Sequence, residues 1–486
     1  MSYMKYNLRQ SLRMASVAWC VVWLSMAVSA ENYYVDANHG NDLWDGTTAA
    51  IPDQATIEAG GAIPGPRKTL HAMMSDSRVA AGDTVYAAEG DYNEGGEVHS
   101  SFKTANRVKV KAGVTLCATG ARDATFITGS GGSYPDGYTN GAVRCVYFVA
   151  PSTVEKNAGY GYGIVKGFML RDGRTAPEDS NNESGGASNG EGLLVECDFV
   201  NNGSYGSAKG GTMHGGTALR CRFTSASRGF LGFAETKVID SIVSVSSAFY
   251  AYCNAYNCTF TDGYVRGTGS AGGATYNCLF IGQGATNSDQ KGTKHYNTFS
   301  RYNFHSTACT TTDTCRVVTA DKTRYDATTF RPVRGSAAID AGKISYYTAA
   351  TNGWTAAWLA ECGKDYYGGA RVYNGNIDVG AGEYDCRPDF AAILGPDAAI
   401  LAMGPNVTTN AVPNVVVPEG ESITLAMMPL ASDVKTLYEI VYTPYGGAQT
   451  VLSERAREAF ERTLEGGCTV QSLTGSVCRG FVLVVK

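Results

Sequence analysis

Lys166, Asp198, Arg220, Arg222 and Asp240 are acids and bases that stand beside one repeated phrase of the chain. In that arrangement a cationic side chain can take a proton α to a carboxyl group. A neighbouring cation, or a Ca²⁺ ion held by the aspartates, would stabilise the enolate-like intermediate, and the chemistry is β-elimination. Hydrolysis of a glycosidic bond makes a different demand, two carboxylates flanking that bond. The sequence has no Asp-Asp pair and no Gly-His-Gly, only His214 ahead of Gly215 and Gly216. Alternating charge is also what an exposed sheet carries as a cross-strand ion-pair ladder, each pair contributing about 0.2–1 kcal/mol.

The phrase itself returns as VECDFVNN, ALRCRFTS, VIDSIVSV, AYNCTFTD, TYNCLFIG and HYNTFSRY. With Cys197, Cys221, Ser241, Cys258, Cys278 and Thr298 as equivalents, the steps are 24, 20, 17, 20 and 20 residues. Steps this short, rich in Gly, Asn and Ser, suit stacked turns of strand; helical-pair repeats need about 33 residues or more. Cys-x-Phe has the strand period of two. The cysteines and Phe199, Phe223, Phe260 and Phe280 are therefore expected to face inward, the cysteines as small hydrophobes, and their neighbours outward.

With Gly167 aligned on Cys197, the position before the cysteine reads Lys166, Glu196, Arg220, Asp240, Asn257, Asn277 and Asn297. It is charged in the early coils and an amide in the later ones. A site therefore belongs to the early coils, beside the irregular stretch 134–189. In and around that stretch Tyr134, Tyr138, Tyr160, Tyr162 and Tyr205 are candidates to stack on sugar rings.

Fifty-nine glycines, 14 prolines and 17% charged residues describe a turn-rich β protein. Lys5, Arg9 and Arg13, an apolar run over about 15–28 and Val28-Ser29-Ala30 have the three parts of a secretory signal peptide, expected at 1–30. The run falls short of the roughly 20 residues that span a bilayer. Export makes disulfides permissible, with Cys309–Cys315 and Cys468–Cys478 as near neighbours and Cys362–Cys386 as a further pair. Without the signal the chain keeps 37 Lys+Arg against 45 Asp+Glu, an acidic balance that excludes the basic footprint of a nucleic-acid binder. No apolar run of membrane length ends the chain, so the exported protein is expected to lack a membrane span.

Three early phrases, YYVDANHGND, KTLHA and AGDTVYAAEGDY, resemble the opening of secreted bacterial right-handed parallel β-helix proteins of the pectin-lyase-like superfamily. A second stretch is similar to the terminal motif of such proteins, of the choice-of-anchor type. It comprises Gly335, Ser336, Ala338, Ile339, Asp340 and Gly342, then Asp365, Gly368 and Arg371, then Ile377, Asp378, Gly380, Ala381 and Glu383. Ala337 stands where that family usually has proline. The resemblance implies a capped right-handed parallel β-helix in contact with extracellular polysaccharide, secreted or at the cell surface. The Asp, Arg and Glu of the terminal motif read as a buried polar network that fixes the last coil.

The expected organisation is a signal at 1–30, an N-terminal cap at 31–99, a β-helix at 100–387 with its terminal motif at 330–387, a linker at 388–412 and a small β-rich domain at 413–486. Residues 69–79 read as a helix, as do 453–464. The whole is expected to be all-β and to act as a monomer. Asp36, Asn41, Asp42 and Asp45, set among glycines, are an oxygen-rich loop with Ca²⁺-binding character. The competing reading of that loop is a structural turn in the cap. For the whole chain, the alternative to a polysaccharide lyase is a non-catalytic surface or matrix protein.

Overall fold

The computed structural model describes residues 30–486 except 99–103, 131–140, 176–184, 205–210, 225, 229–231, 234–235, 252, 268–272, 282–293, 301–315, 318–323, 327, 334–335, 373–375, 385–389, 395–398, 405–414, 418–421, 428–435, 457–459, 466–467 and 478–486. The expected signal segment, Tyr134, Tyr138, Tyr205, Cys309, Cys315, Cys386 and Cys478 lie outside the described residues.

The chain winds as a parallel β-helix with three faces. In the regular early coils a short strand lies on each face in turn. One coil runs through Ile164–Lys166, Met169–Arg171 and Ser188–Asn189, the next through Leu193–Val195, Asp198–Val200 and Met213–His214. The first face is a ten-stranded sheet, from Asn32–Val35 at one end to Lys294–Tyr296 at the other. The second and third faces form one 16-stranded sheet, because the long strand Ile242–Ala251 pairs with the second face at Ile242 and with the third at Ala251. Pairing starts inside the segment expected as a cap. Asn32–Val35, Thr84–Ala87 and Gly90–Tyr92 already belong to the first two faces. The predicted early helix is Leu70–Ser75, capped by Thr69, with Leu70, Met73 and Met74 buried.

The corner between the first and second faces explains the repeat. Its residue has a positive φ in each regular coil: 80° at Gly167, 52° at Glu196, 53° at Arg220, 48° at Asp240, 50° at Asn257 and Asn277, and 47° at Asn297. Gly and Asn tolerate this left-handed conformation best; other L-residues lose about 1–2 kcal/mol there. The next side chain turns inward and donates to the carbonyl two residues back, across the corner. Cys197 Sγ bonds to Val195 O (3.3 Å), Cys221 to Leu219 O (3.4 Å), Ser241 Oγ to Ile239 O (2.7 Å), Cys258 to Tyr256 O (3.2 Å), Cys278 to Tyr276 O (3.3 Å) and Thr298 Oγ1 to Tyr296 O (3.2 Å).

The position thus demands a small side chain with a donor, which is why Cys, Ser and Thr interchange there. The cysteines are inward as expected, and they are hydrogen-bonding groups as well as hydrophobes. Burial raises the Cys221 and Cys258 thiols, which makes them poor nucleophiles. Beyond them Phe199 stacks on Phe223 and Phe260 on Phe280, with ring centroids 4.4 and 4.3 Å apart. Cys362 carries a free thiol, and Cys386, its expected partner, lies outside the described residues.

Register corrects one alignment. Lys166 pairs with Val195, so Gly167 is equivalent to Glu196, and Phe168 rather than Gly167 to Cys197. The slip arose because this coil puts a large Phe, not a small donor, inside the corner.

Outside the corner the amides stack. Asn257 Nδ2 donates to Asp240 Oδ1 (3.2 Å), Asn277 Nδ2 to Asn257 Oδ1 (2.9 Å) and Asn297 Nδ2 to Asn277 Oδ1 (2.8 Å). The terminal motif docks on this column: Lys343 N donates to Asn277 Oδ1, and the second proton of Asn277 Nδ2 goes to Lys343 O, both at 2.9 Å. Two helices, Ile344–Thr351 and Ala356–Leu359, then follow. Tyr347, Ala350 and Trp358 pack on Ile164, Leu193, Val195, Leu219, Ile239 and Tyr256 of the first face.

Farther on, two four-stranded antiparallel sheets form. The expected helix at 453–464 is instead part of Thr450–Ala456 and Phe460–Glu465, each paired along its length with a neighbouring strand. Its alternating charged and apolar residues satisfy a period of two as well as a helical one, and cross-strand pairing decides. The segment expected as a linker holds the paired strands Phe390–Leu394 and Ala399–Gly404. No helix among the described residues is long and apolar enough to cross a membrane.

Asn277→Ala removes four hydrogen bonds to Asn257, Asn297 and Lys343 and leaves Cβ chemistry ill suited to the left-handed corner. Local stability there should fall by about 3 kcal/mol, read as faster amide hydrogen exchange in the neighbouring coils. Asn277→Gly should recover part of the loss, since only the amide contacts are then missing.

Candidate functional site

The open part of the second face lies in the early coils. Asp91, Phe126, Met169, Asp198 and Arg222 occupy one outward row on five successive strands, about 19 Å end to end. Arg171 bridges to Asp91 (2.9 Å), bonds to Thr128 Oγ1 (2.9 Å) and lies 4.0 Å over the Phe126 ring. Asp198 is buried between two partly exposed guanidinium groups, Arg122 at 3.2 Å and Arg222 at 2.5 Å. Tyr366 of the terminal motif stands beside Arg122, whose guanidinium is 5.6 Å from its ring centroid. Later coils of this face are covered: Ala381 N donates to Thr259 Oγ1, and Ala338 and Val379 pack on Leu279 and Phe299.

The five residues predicted for catalysis separate into three places. Asp198 and Arg222 meet on the second face. Lys166 and Arg220 converge on Glu361, with Lys166 Nζ 2.8 Å and Arg220 2.9 Å from Glu361 and Glu196 respectively. Asp240 sits 3.0 Å from Arg371, both fully buried. The expectation that Arg220 and Asp240 face solvent fails, because the terminal motif lies over them. Its reach back from 361–383 to the coils at 166–240 has no signal in local sequence.

Around Arg371 the motif forms the expected polar network. The guanidinium is 3.0 Å from Glu383 and bonds to the carbonyls of Asp378 (3.2 Å) and Gly380 (2.8 Å). Asp378 Oδ1 accepts from Asp340 N (2.7 Å), and Asp365 Oδ2 from Glu383 N (2.9 Å). One cation faces two buried carboxylates. Burial pushes Asp240 up to about 7, against the pull of Arg371, and raises Glu383 and Asp378 too. The network holds a middle coil as well as the end of the helix.

The four oxygen ligands considered for Ca²⁺ each accept hydrogen bonds from the chain, three of them in local turns and Asp42 from the start of the Leu70–Ser75 helix. Asp36 accepts from Asn38 N and His39 N, Asn41 from Leu43 N, Asp45 from Thr47 N, and Asp42 from Lys68 N, Thr69 N and Thr69 Oγ1. Among the described residues no group of three or more His, Cys, Asp or Glu is placed to hold a metal ion. Sequence reasoning missed Arg122, Asp91, Arg171 and Tyr366, which lie outside the regular phrase; only register through the coils collects them.

No family model and no curated protein matches the chain. Among solved structures it is similar to the GH136 lacto-N-biosidase from Eubacterium ramulus, at 11% identity and a TM-score of 0.27. The match covers 56% of this chain and 56% of that enzyme.

Because Asp240 holds its proton more tightly folded than unfolded, its contribution to stability is complete below about pH 4 and is lost as pH rises through about 7. Thermal midpoints measured from pH 5 to pH 8 should fall, and Asp240→Asn should flatten that slope. Arg371→Ala removes the cation facing Asp240 and Glu383 and should destabilise the fold, the cost growing toward about 3–5 kcal/mol as pH rises and both carboxyls ionise, measured by denaturant unfolding across pH.

Proposed function

We propose that the chain is an exported, monomeric β-helix protein of the pectin-lyase-like kind that binds an acidic, uronate-containing polysaccharide along the open row of the second face. The observation that carries this reading is the pair Arg122 and Arg222 around Asp198. Each guanidinium has five N–H donors. In each, one amino group reaches Asp198, and both side chains are partly exposed at 31% and 44%. Forks held by a buried carboxylate are preorganised for a second carboxylate from a ligand. Arg171, fixed by Asp91 and Phe126, extends the cationic row, and Tyr366 supplies an aromatic edge.

Hydrolysis is the chemistry least suited to this row. Asp91 and Asp198 lie three strand spacings apart, about 14 Å, beyond the roughly 6.5–9.5 Å of an inverting carboxylate pair. Elimination on this face would use the guanidinium groups of the row itself, and Ca²⁺ is one arm of the experiment to test whether the ion adds to them. The second reading, a surface or matrix scaffold without catalysis, is favoured by the structural use of Arg220 and Asp240.

Affinity electrophoresis in polygalacturonate, alginate and hyaluronan, with Ca²⁺ or with chelator, tests the proposal. Retardation should weaken with salt, and Arg122→Gln with Arg222→Gln should lower affinity at least ~10-fold, about 1.4 kcal/mol. Unaltered retardation in the double variant would remove this face from the reading.

A further inference from the structure

The open row of the second face carries two centres built alike. In the first, Arg122 Nη1 lies 3.2 Å from Asp198 Oδ1 and Arg222 Nη2 lies 2.5 Å from Asp198 Oδ2. In the second, Arg171 Nη2 lies 2.9 Å from Asp91 Oδ2, and Arg171 Nε donates to Thr128 Oγ1 at 2.9 Å. Arg107 stands beside this second centre, buried, its guanidinium donating to the carbonyls of Thr128 and Gly95 and attracted by Asp91. Glu94, the other carboxylate that attracts Arg107, has Lys68 at 2.6 Å. Each centre is two guanidinium groups about one aspartate, with one positive charge in surplus.

Both centres are open. Arg122, Arg222 and Arg171 are 31%, 44% and 31% exposed, and among the described residues Arg171 Nη1 has no partner once Nε and Nη2 are engaged. A small recess lined by Lys68, Thr69, Asp91, Asn93 and Glu94 adjoins the second centre. Register sets the separation of the two. The Arg171 guanidinium lies 4.0 Å over the ring of Phe126, and Phe126, Met169 and Asp198 are paired on three successive strands. The surplus charges are therefore two strand spacings apart along the helix, ~10 Å. Met169, between them, is uncharged, and a carboxylate set over it would lose water without gaining a partner.

We propose that the two centres are a pair of carboxylate seats that bind one glycan chain at two uronates separated by a single sugar, which lies over Met169 and turns no carboxylate to the sheet. The inference rests on the acidic-polysaccharide reading above and adds the repeat that the ligand must show. A sugar ring extends a glycan by close to one strand spacing, so the matching chain presents a carboxylate on one side at every second sugar. Alternation of acidic and neutral sugars does this, and so does a two-fold ribbon of uronates. Guanidinium forks hold carboxylates through paired N–H groups, and two such contacts on one chain make the second nearly intramolecular.

Titration calorimetry with two oligosaccharide series tests the pairing: hyaluronan di- and tetrasaccharides, with one and two uronates, and galacturonate monomers and trimers. In a matching series the longer ligand should bind at least ~10-fold more tightly than the shorter, beyond the few-fold gain that extra identical groups give by statistics. A gain with hyaluronan marks the alternating chain, and a gain with galacturonate alone marks the ribbon. Arg171→Gln and Arg222→Gln, at partly exposed positions, should each abolish the gain while the short ligand still binds at the other centre and the melting temperature is kept. Short ligands bound without a gain in either series, or a gain that survives Arg171→Gln, overturn the pairing and leave the binding reading standing. Binding of none of the four ligands overturns both.

Discussion

A left-handed residue at one corner of each coil is the constraint on which the rest of this molecule depends. Turning the chain from the first face to the second with φ near 50° leaves a carbonyl on the inside and a side chain on the outside, which the terminal motif buries in the later coils. Buried polar groups without partners are costly, so from Glu196 onward each corner satisfies its inner carbonyl with a side chain. Inside, a small Cys, Ser or Thr returns a hydrogen bond to the carbonyl two residues earlier. Outside, asparagines pass hydrogen bonds from coil to coil, and the stack ends on Asp240. The two columns together convert a local conformational cost into a cooperative ladder.

The same corner decides where function can lie. Its outer column recruits the terminal motif, which brings Glu361 to Lys166 and Arg220, and Arg371 to Asp240. Burying these charges is tolerable only because each finds an opposite charge or carbonyl partners. They are consequently committed to holding the chain together. The motif also covers the late coils of the second face and brings Tyr366 beside Arg122, so the outer surface left for a ligand is set by its reach. Asp198 keeps its place in that open stretch because its partners come from the helix itself.

Much of the solenoid was legible in the repeat. The strand period, the inward Cys-x-Phe and the shift from charge to asparagine all follow from side-chain size and alternation, which act locally. The polar character of the terminal motif was legible too, since Asp, Arg and Glu among small apolar residues need one another. The helix expected at 453–464 shows the limit: a short amphipathic pattern fits two periods, and the neighbouring strand chooses.

What the sequence determined by itself, then, is the coil: its period, its inward side chains and the early position of its charges. What only the tertiary structure decided is which charges meet. Asp198 joins Arg122 across 76 residues, and Arg220 meets Glu361 across 141. Coil lengths vary because insertions fall in the turns, so register between strands cannot be counted along the chain. Hydrogen bonding between coils sets it.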